Sequence, residues 1–308
     1  MKVMVLGTGA VGSYYGGLLA RAGHQVSCLA RGDTLAAIRE RGVQVRTPEG
    51  AFRADVMAAD QVAALPVADF AILAVKSYSL GDIGAAVRRC AEQGAVVVPL
   101  LNGVETTERL ERLGVPRGAI MGGLTRISAV RLGPGVVERR SPFQEVVIGE
   151  LDGQLSERVD QIAAAFRDAG VDGRTSDRIQ LELWQKFVFI VTLAAVCGLA
   201  RSPVGPLRAH RLGRRLFQRA TEEVVAVARA RGIALPESSV ARVMAVIDDL
   251  PPGLKPSFLT DLESGGPTEL DILSGTVSRF GELAGIPTPI HDTATLALAQ
   301  PVREERAP

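Results

Sequence analysis

The chain has 308 residues, a formal net charge of +1, and 47% hydrophobic against 22% charged residues. That length allows a large core and favours two domains over one, and the balance excludes the disordered and fibrous classes. So small a charge gives no pull toward nucleic acid or an anionic membrane, which leaves a small molecule as the expected partner. The three cysteines, Cys28, Cys90 and Cys197, are widely spaced and form no C-x-x-C pair, so neither a disulfide framework nor a zinc site is expected. We read no signal peptide in the first residues. Nor do we read an apolar run of the ~18 residues a membrane helix needs without Gly, Pro or charge intervening. A cytoplasmic protein is expected.

In chain order, Val3-Met-Val-Leu-Gly-Thr-Gly-Ala-Val-Gly12 reads as a buried strand, a glycine turn and the start of a helix. In this G-x-G-x-x-G arrangement Gly7 turns the chain, Gly9 admits a pyrophosphate close to the backbone, and Gly12 lets helix and sheet pack closely. Thr8, Ala10 and Val11 complete the loop, whose N–H groups would face the anion. A tight turn with no ligand is the alternative, which the flanking strand and helix disfavour. Gln25 to Ala30 alternates as a second strand. It ends in Arg31 where an acidic residue would favour an unmodified ribose, so the reading is NADP(H), unless Arg31 is a plain loop charge.

A short helix capped by Asp33 and ended by Gly42 comes next, then a hairpin around Thr47-Pro-Glu-Gly50. Asp69 to Val75 is apolar throughout, as a strand buried on both faces must be. Lys76 at its carboxyl end is either a cofactor contact or a surface lysine. A helix over 82–93 leads to the strand Ala95–Leu100. Asn102-Gly103 then makes a turn that either only reverses the chain or aims an amide at the nicotinamide. Later strands are read at 121–125, 135–138 and 145–149, and Ser156 is read as capping a helix to Ala169. Residues 171–177 are turn-forming. Helices are expected beyond them at 179–199, 212–231, 238–250, 256–263, 269–284 and 291–300. The fold class is therefore α/β: an N-terminal Rossmann-type dinucleotide-binding domain over 1–172, followed by an all-helical C-terminal domain over 173–308. The charged end, Arg303 to Pro308, is the candidate for low order.

Hydride transfer to a carbonyl also needs an acid near the oxygen, where negative charge grows. Lys186 is the best candidate, lying early in an apolar helix with Ile190 and Ala194 on the same face. Partial burial there would lower its pKa. A lysine that snorkels to the surface is the alternative. Trp184 reads as a core anchor, while His24, His210 and His291 lack metal-ligand spacing. Arg214, Arg215, Arg219, Glu222 and Glu223 read as a solvated helix face or a subunit contact.

The glycine-rich start, Lys76, Leu101-Asn-Gly103, Trp184-Gln-Lys186, Ser257-Phe-Leu-Thr-Asp-Leu and Pro267-Thr-Glu-Leu-Asp271 together resemble the ketopantoate reductase (2-dehydropantoate 2-reductase) family over nearly the whole chain. The resemblance implies NADPH-dependent reduction of a 2-oxo acid in pantothenate synthesis. It implies Lys186 as general acid, Asn102 positioning substrate and nicotinamide, Glu269 anchoring the substrate hydroxyl, and Ser257 holding its carboxylate. Ser257 and Glu269 would otherwise serve helix starts. The chain departs from the family in having Ile190 and Ala194 where asparagines stand, which points to a more apolar 2-oxo acid. Two further readings remain: a β-hydroxyacid dehydrogenase, and an NADPH-binding sensor without catalysis. A homodimer through the helical domain is compatible with the long helices.

Overall fold

The computed structural model describes residues 1–299, so the expected low-order tail and the far end of the last expected helix, at Gln300, lie outside the described residues. The chain divides into two compact units. One is formed by residues 1–101 and 105–180, the other by residues 102–104 and 181 onward.

The first unit contains, in order, β1 (Lys2–Leu6), α1 (Ala10–Arg21), β2 (Gln25–Leu29), α2 (Gly32–Arg41), β3 (Val43–Thr47), β4 (Gly50–Ala54), β5 (Met57–Ala59), β6 (Phe70–Leu73), α3 (Leu80–Glu92), β7 (Val96–Pro99), α4 (Thr106–Arg112), β8 (Gly122–Arg126), β9 (Ala129–Gly133), β10 (Val136–Arg139), β11 (Glu145–Gly149), α5 (Glu157–Asp168) and β12 (Asp172–Thr175). Five parallel strands form the main sheet in the order β5-β2-β1-β6-β7. Its apolar runs are continuous because both faces are covered. Alternate residues point to opposite faces, so Val3, Val5, Phe70 and Ile72 enter one core cluster while Met4, Leu6, Ala71 and Leu73 enter another. The chain leaves β1 for β2 on one side and later places β6 on the other. The switch point therefore falls between β1 and β6, where doubly wound folds open a crevice at their carboxyl ends.

The other two sheets run β4-β3-β10-β9 and β12-β11-β8. The hairpin is as expected, with Thr47 opposite Gly50. Ser156 caps α5 by accepting from the Val159 N–H. Sequence reading missed α4, β5, β9 and β12, and β12 lies within the stretch read as turns. Asp172, Gly173 and Arg174 have poor strand propensity, but β11 pairs with them along its length and supplies the missing preference. Asp33 lies in the first turn of α2 rather than capping it; Arg31 is the N-cap residue.

The second unit consists of α6 (Ile179–Ala200), whose first two residues belong to the first unit, with α7 (Val204–Ala209), α8 (Arg211–Ala230), α9 (Ser239–Asp249), α10 (Ser257–Glu263), α11 (Ser274–Ala284) and α12 (Pro289–Ala297). α6 is apolar on every side because it runs through the core, where Trp184, Phe187, Val191 and Val196 are buried. By length and composition it would cross a bilayer, although 61% of its apolar window is buried in the protein. The expectation that no such run goes uninterrupted holds, since Glu182, Lys186 and Gly198 fall within the helix. α7 was not foreseen. The expected helix from Glu269 begins instead at Ser274, because residues 269–273 form turns that bury Ile272 and Leu273. Glu223, read as part of a solvated face, accepts the backbone N–H groups of Ile290 and His291 and so caps α12.

Candidate active site

The glycine loop lies at the carboxyl end of β1, beside that of β6. Gly7 has φ +109°, and a Cβ there would meet the Val75 side chain at 2.7 Å and the Ala74 backbone at 2.8 Å. A Cβ at Gly12 would stand 2.0 Å from the Gly7 carbonyl oxygen. Packing alone thus dictates both glycines. Gly9 is different: its backbone is extended, and a Cβ would touch nothing closer than the Ala74 oxygen at 4.0 Å. The space over Gly9 is left open by the protein, as a ligand drawn against the backbone requires. Gly9 is the N-cap of α1, with no side-chain cap and no acidic residue in the first turn, so the first N–H groups and the helix dipole are available to an anion. Gly7, Thr8, Gly9, Ala10 and Val11 are all partly exposed. These residues fit a dinucleotide pyrophosphate. Arg31 is exposed just beyond the end of β2, and Lys76 is partly exposed beyond that of β6, opening a short 3-10 turn (Ser77–Ser79).

Within the second unit, three candidate residues converge. Lys186 projects from α6, and its Nζ donates to Asn102 Oδ1 at 3.1 Å. Asn102 Nδ2 in turn donates to Glu269 Oε2 at 3.4 Å. The partners fix the amide's orientation, since an ammonium only donates and a carboxylate only accepts. Asn102 is held by the following turn: Gly103 has φ +96°, and a Cβ there would lie 3.2 Å from Ile272. Glu269 is 5% exposed. Its turn is pinned by Arg279, which donates Nη1 to Asp271 Oδ1 at 2.6 Å and Nη2 to the Asp271 carbonyl at 3.0 Å. Arg279 was not foreseen, since nothing in the sequence ties it to Asp271 in particular.

Ser257 is not brought into this set. It is exposed at the first position of α10, behind the N-cap Pro256, and makes no side-chain hydrogen bond among the described residues. Of the two residues that follow Lys186 on its helix face, Ile190 is partly buried, whereas Ala194 is 2% exposed within the helical core. Trp184 is a core anchor, edge-on to Phe187 at 5.5 Å. His210 caps α8 and His291 is wholly buried. Among the described residues no cluster of His, Cys, Asp and Glu would hold a metal ion.

Comparison with known proteins decides the family. The family model for ketopantoate reductase PanE/ApbA matches residues 3–153, and that for its C-terminal domain matches residues 178–301. The chain belongs to the ketopantoate reductase family. A 2-dehydropantoate 2-reductase of Halobacterium salinarum is 32% identical, over 94% of this chain and 95% of its own. An uncharacterised oxidoreductase of Bacillus subtilis is 28% identical over 95% and 96%. The crystal structure of a ketopantoate reductase from Ralstonia eutropha superposes with a TM-score of 0.88 at 30% identity, covering 97% of each chain. D-mandelate dehydrogenase bound to NADH shares the fold, with a TM-score of 0.87 at 23% identity over 97% of each chain. The protein is thus an oxidoreductase of the 2-dehydropantoate 2-reductase kind, in a family that acts on small keto acids with a nicotinamide cofactor.

Proposed function

We propose that this ketopantoate reductase family member reduces 2-dehydropantoate to pantoate with NADPH, as a cytoplasmic step of pantothenate synthesis. The observation that carries this reading is the Lys186–Asn102–Glu269 chain, which brings a cation, an amide and a buried carboxylate together on the unit whose helices the family uses for substrate. When bound, the nicotinamide supplies the hydride. Lys186 then gives a proton to the developing alkoxide, a role typically worth 10²–10⁴ in rate. Asn102 holds Lys186 through its oxygen, and Glu269 anchors the substrate hydroxyl. Ser257 is assigned to the substrate carboxylate on family grounds. On the cofactor side, the open face over Gly9 supports pyrophosphate binding, with Gly7, Thr8, Ala10, Val11 and Gly12 shaping the loop. Arg31 favours the 2′-phosphate of NADP(H), while Lys76 and Asn102 are further contacts. We propose a homodimer through the helical domain, which sedimentation velocity tests.

Lys186→Ala is expected to leave the NADPH dissociation constant within twofold and to lower kcat/KM for 2-dehydropantoate by about 100-fold or more. Unchanged turnover in that variant would remove Lys186 from the chemistry. A second reading, favoured by Ile190 on the Lys186 face, is a 2-oxo acid more apolar than ketopantoate. A panel of 2-oxo acids separates the two by kcat/KM. A protein that binds NADPH but turns over none of the panel would instead be a sensor.

A further inference from the structure

The first unit contains a cleft of about 420 Å³ whose lining includes none of the residues assigned above to cofactor or substrate. Its lining includes Tyr14, Leu18 and Arg21 of α1, Glu49 and Phe52 of the β3–β4 hairpin, and Arg139 and Gln144. The volume is in the range of small-molecule pockets. Arg139 is 5% exposed. Its Nη1 donates to the Ser141 carbonyl and its Nη2 to Glu49 Oε2, but its buried Nε has no hydrogen-bond partner among the described residues. Such an unpaired donor is costly.

Glu49 satisfies Arg139 incompletely. Its carboxylate is mostly exposed, on the hairpin turn, and reaches only Nη2. A carboxylate set side-on to a guanidinium takes Nε and Nη2 together, the geometry that makes such pairs strong. Arg21, stacked over the Phe52 ring at 4.1 Å, supplies a second cation. Two guanidinium groups against one carboxylate leave the lining with one excess positive charge, which suits a monoanion. Phe52, only partly buried, offers an apolar surface to the remainder of such a molecule.

We propose that this cleft binds a small organic monocarboxylate, which displaces Glu49 to take Arg139 side-on, with Arg21 assisting and its hydrocarbon against Phe52. Benzoate and inorganic phosphate serve as probes, titrated into the full chain while the Arg139 Nε–H resonance is followed by NMR. That resonance is assigned from its loss in Arg139→Lys, and it reports this cleft regardless of any carboxylate bound elsewhere. Benzoate is expected to shift it saturably. Glu49→Gln, which weakens the internal competitor, should bind about 10-fold more tightly, and Arg21→Gln about 10-fold more weakly. Both side chains are exposed, so neither variant depends on refolding a core. The absence of a saturable shift, equal affinities in the two variants, or phosphate binding as tightly as benzoate would each overturn the proposal.

Discussion

At Gly9 and Gly12, one residue type stands twice in one loop for different reasons. A methyl group at Gly12 collides with the Gly7 carbonyl, whereas one at Gly9 enters open space. Gly12→Ala is therefore expected to destabilise the protein by about 1–3 kcal/mol, or more if the loop cannot yield, as read by urea denaturation. Gly9→Ala is expected to leave the unfolding midpoint unchanged while weakening NADPH binding about 10-fold, as read by fluorescence titration; unimpaired binding would remove the pyrophosphate from this loop. Ile190 calls for a similar distinction. Ala194 is sealed in the core, so an asparagine there would bury an amide without provision for its hydrogen bonds. Ile190→Asn is the informative change. It is expected to shift the kcat/KM ratio toward 2-dehydropantoate and away from 4-methyl-2-oxopentanoate by roughly 2–10-fold, the worth of one added hydrogen bond.

Among the elements, the packing of α8, α11 and α12 makes stability depend on pH. His291, at the start of α12, is wholly buried between Ser274 Oγ and the Ala220 carbonyl, and burial depresses its pKa to about 4. The unfolded chain takes up that proton near 6.5 and the folded chain only near 4. Stability is therefore full above about 6.5 and is lost as pH falls toward 4, by on the order of 3 kcal/mol. Glu223, which caps α12, has the opposite sign: burial raises its pKa, so protonation near and below its folded value favours the folded state and offsets part of the loss. Urea unfolding at pH 7 and pH 4.5 should show a smaller acid loss in His291→Gln and a larger one in Glu223→Gln than in the unaltered protein. An identical pH response in all three would refute the assignment. These elements also show where sequence reading stops. The apolar period of α8 is visible in the chain, but Glu223 looks like its solvated neighbours until α12 ends against it. Likewise β12 has no strand signal of its own and exists because β11 lies alongside.

For the molecule as a whole, each unit has its own core, with two apolar clusters on the faces of the main sheet and one around α6. A cofactor that binds only the folded first unit adds about 2.7 kcal/mol at one hundred times its dissociation constant. NADPH is expected to raise the melting temperature and to slow amide exchange most at the start of α1 and the end of β2; protection confined to the helical unit would contradict the cofactor site. The sequence by itself determined the glycine loop, the buried strands, the helical second half and the family, because each is a local pattern of side-chain period and turn chemistry. Candidate status was also legible, for Lys186 and Asn102 from their places on a helix and at a strand end, and for Glu269 through the family resemblance. Only the tertiary structure decided that these three share one hydrogen-bonded chain, that Ser257 is outside it, that Ala194 is core, and that Arg139, which lines a cleft, keeps a buried donor unpaired. Those facts depend on which distant side chains meet, and a contact between residues far apart in the chain leaves no period or spacing to read.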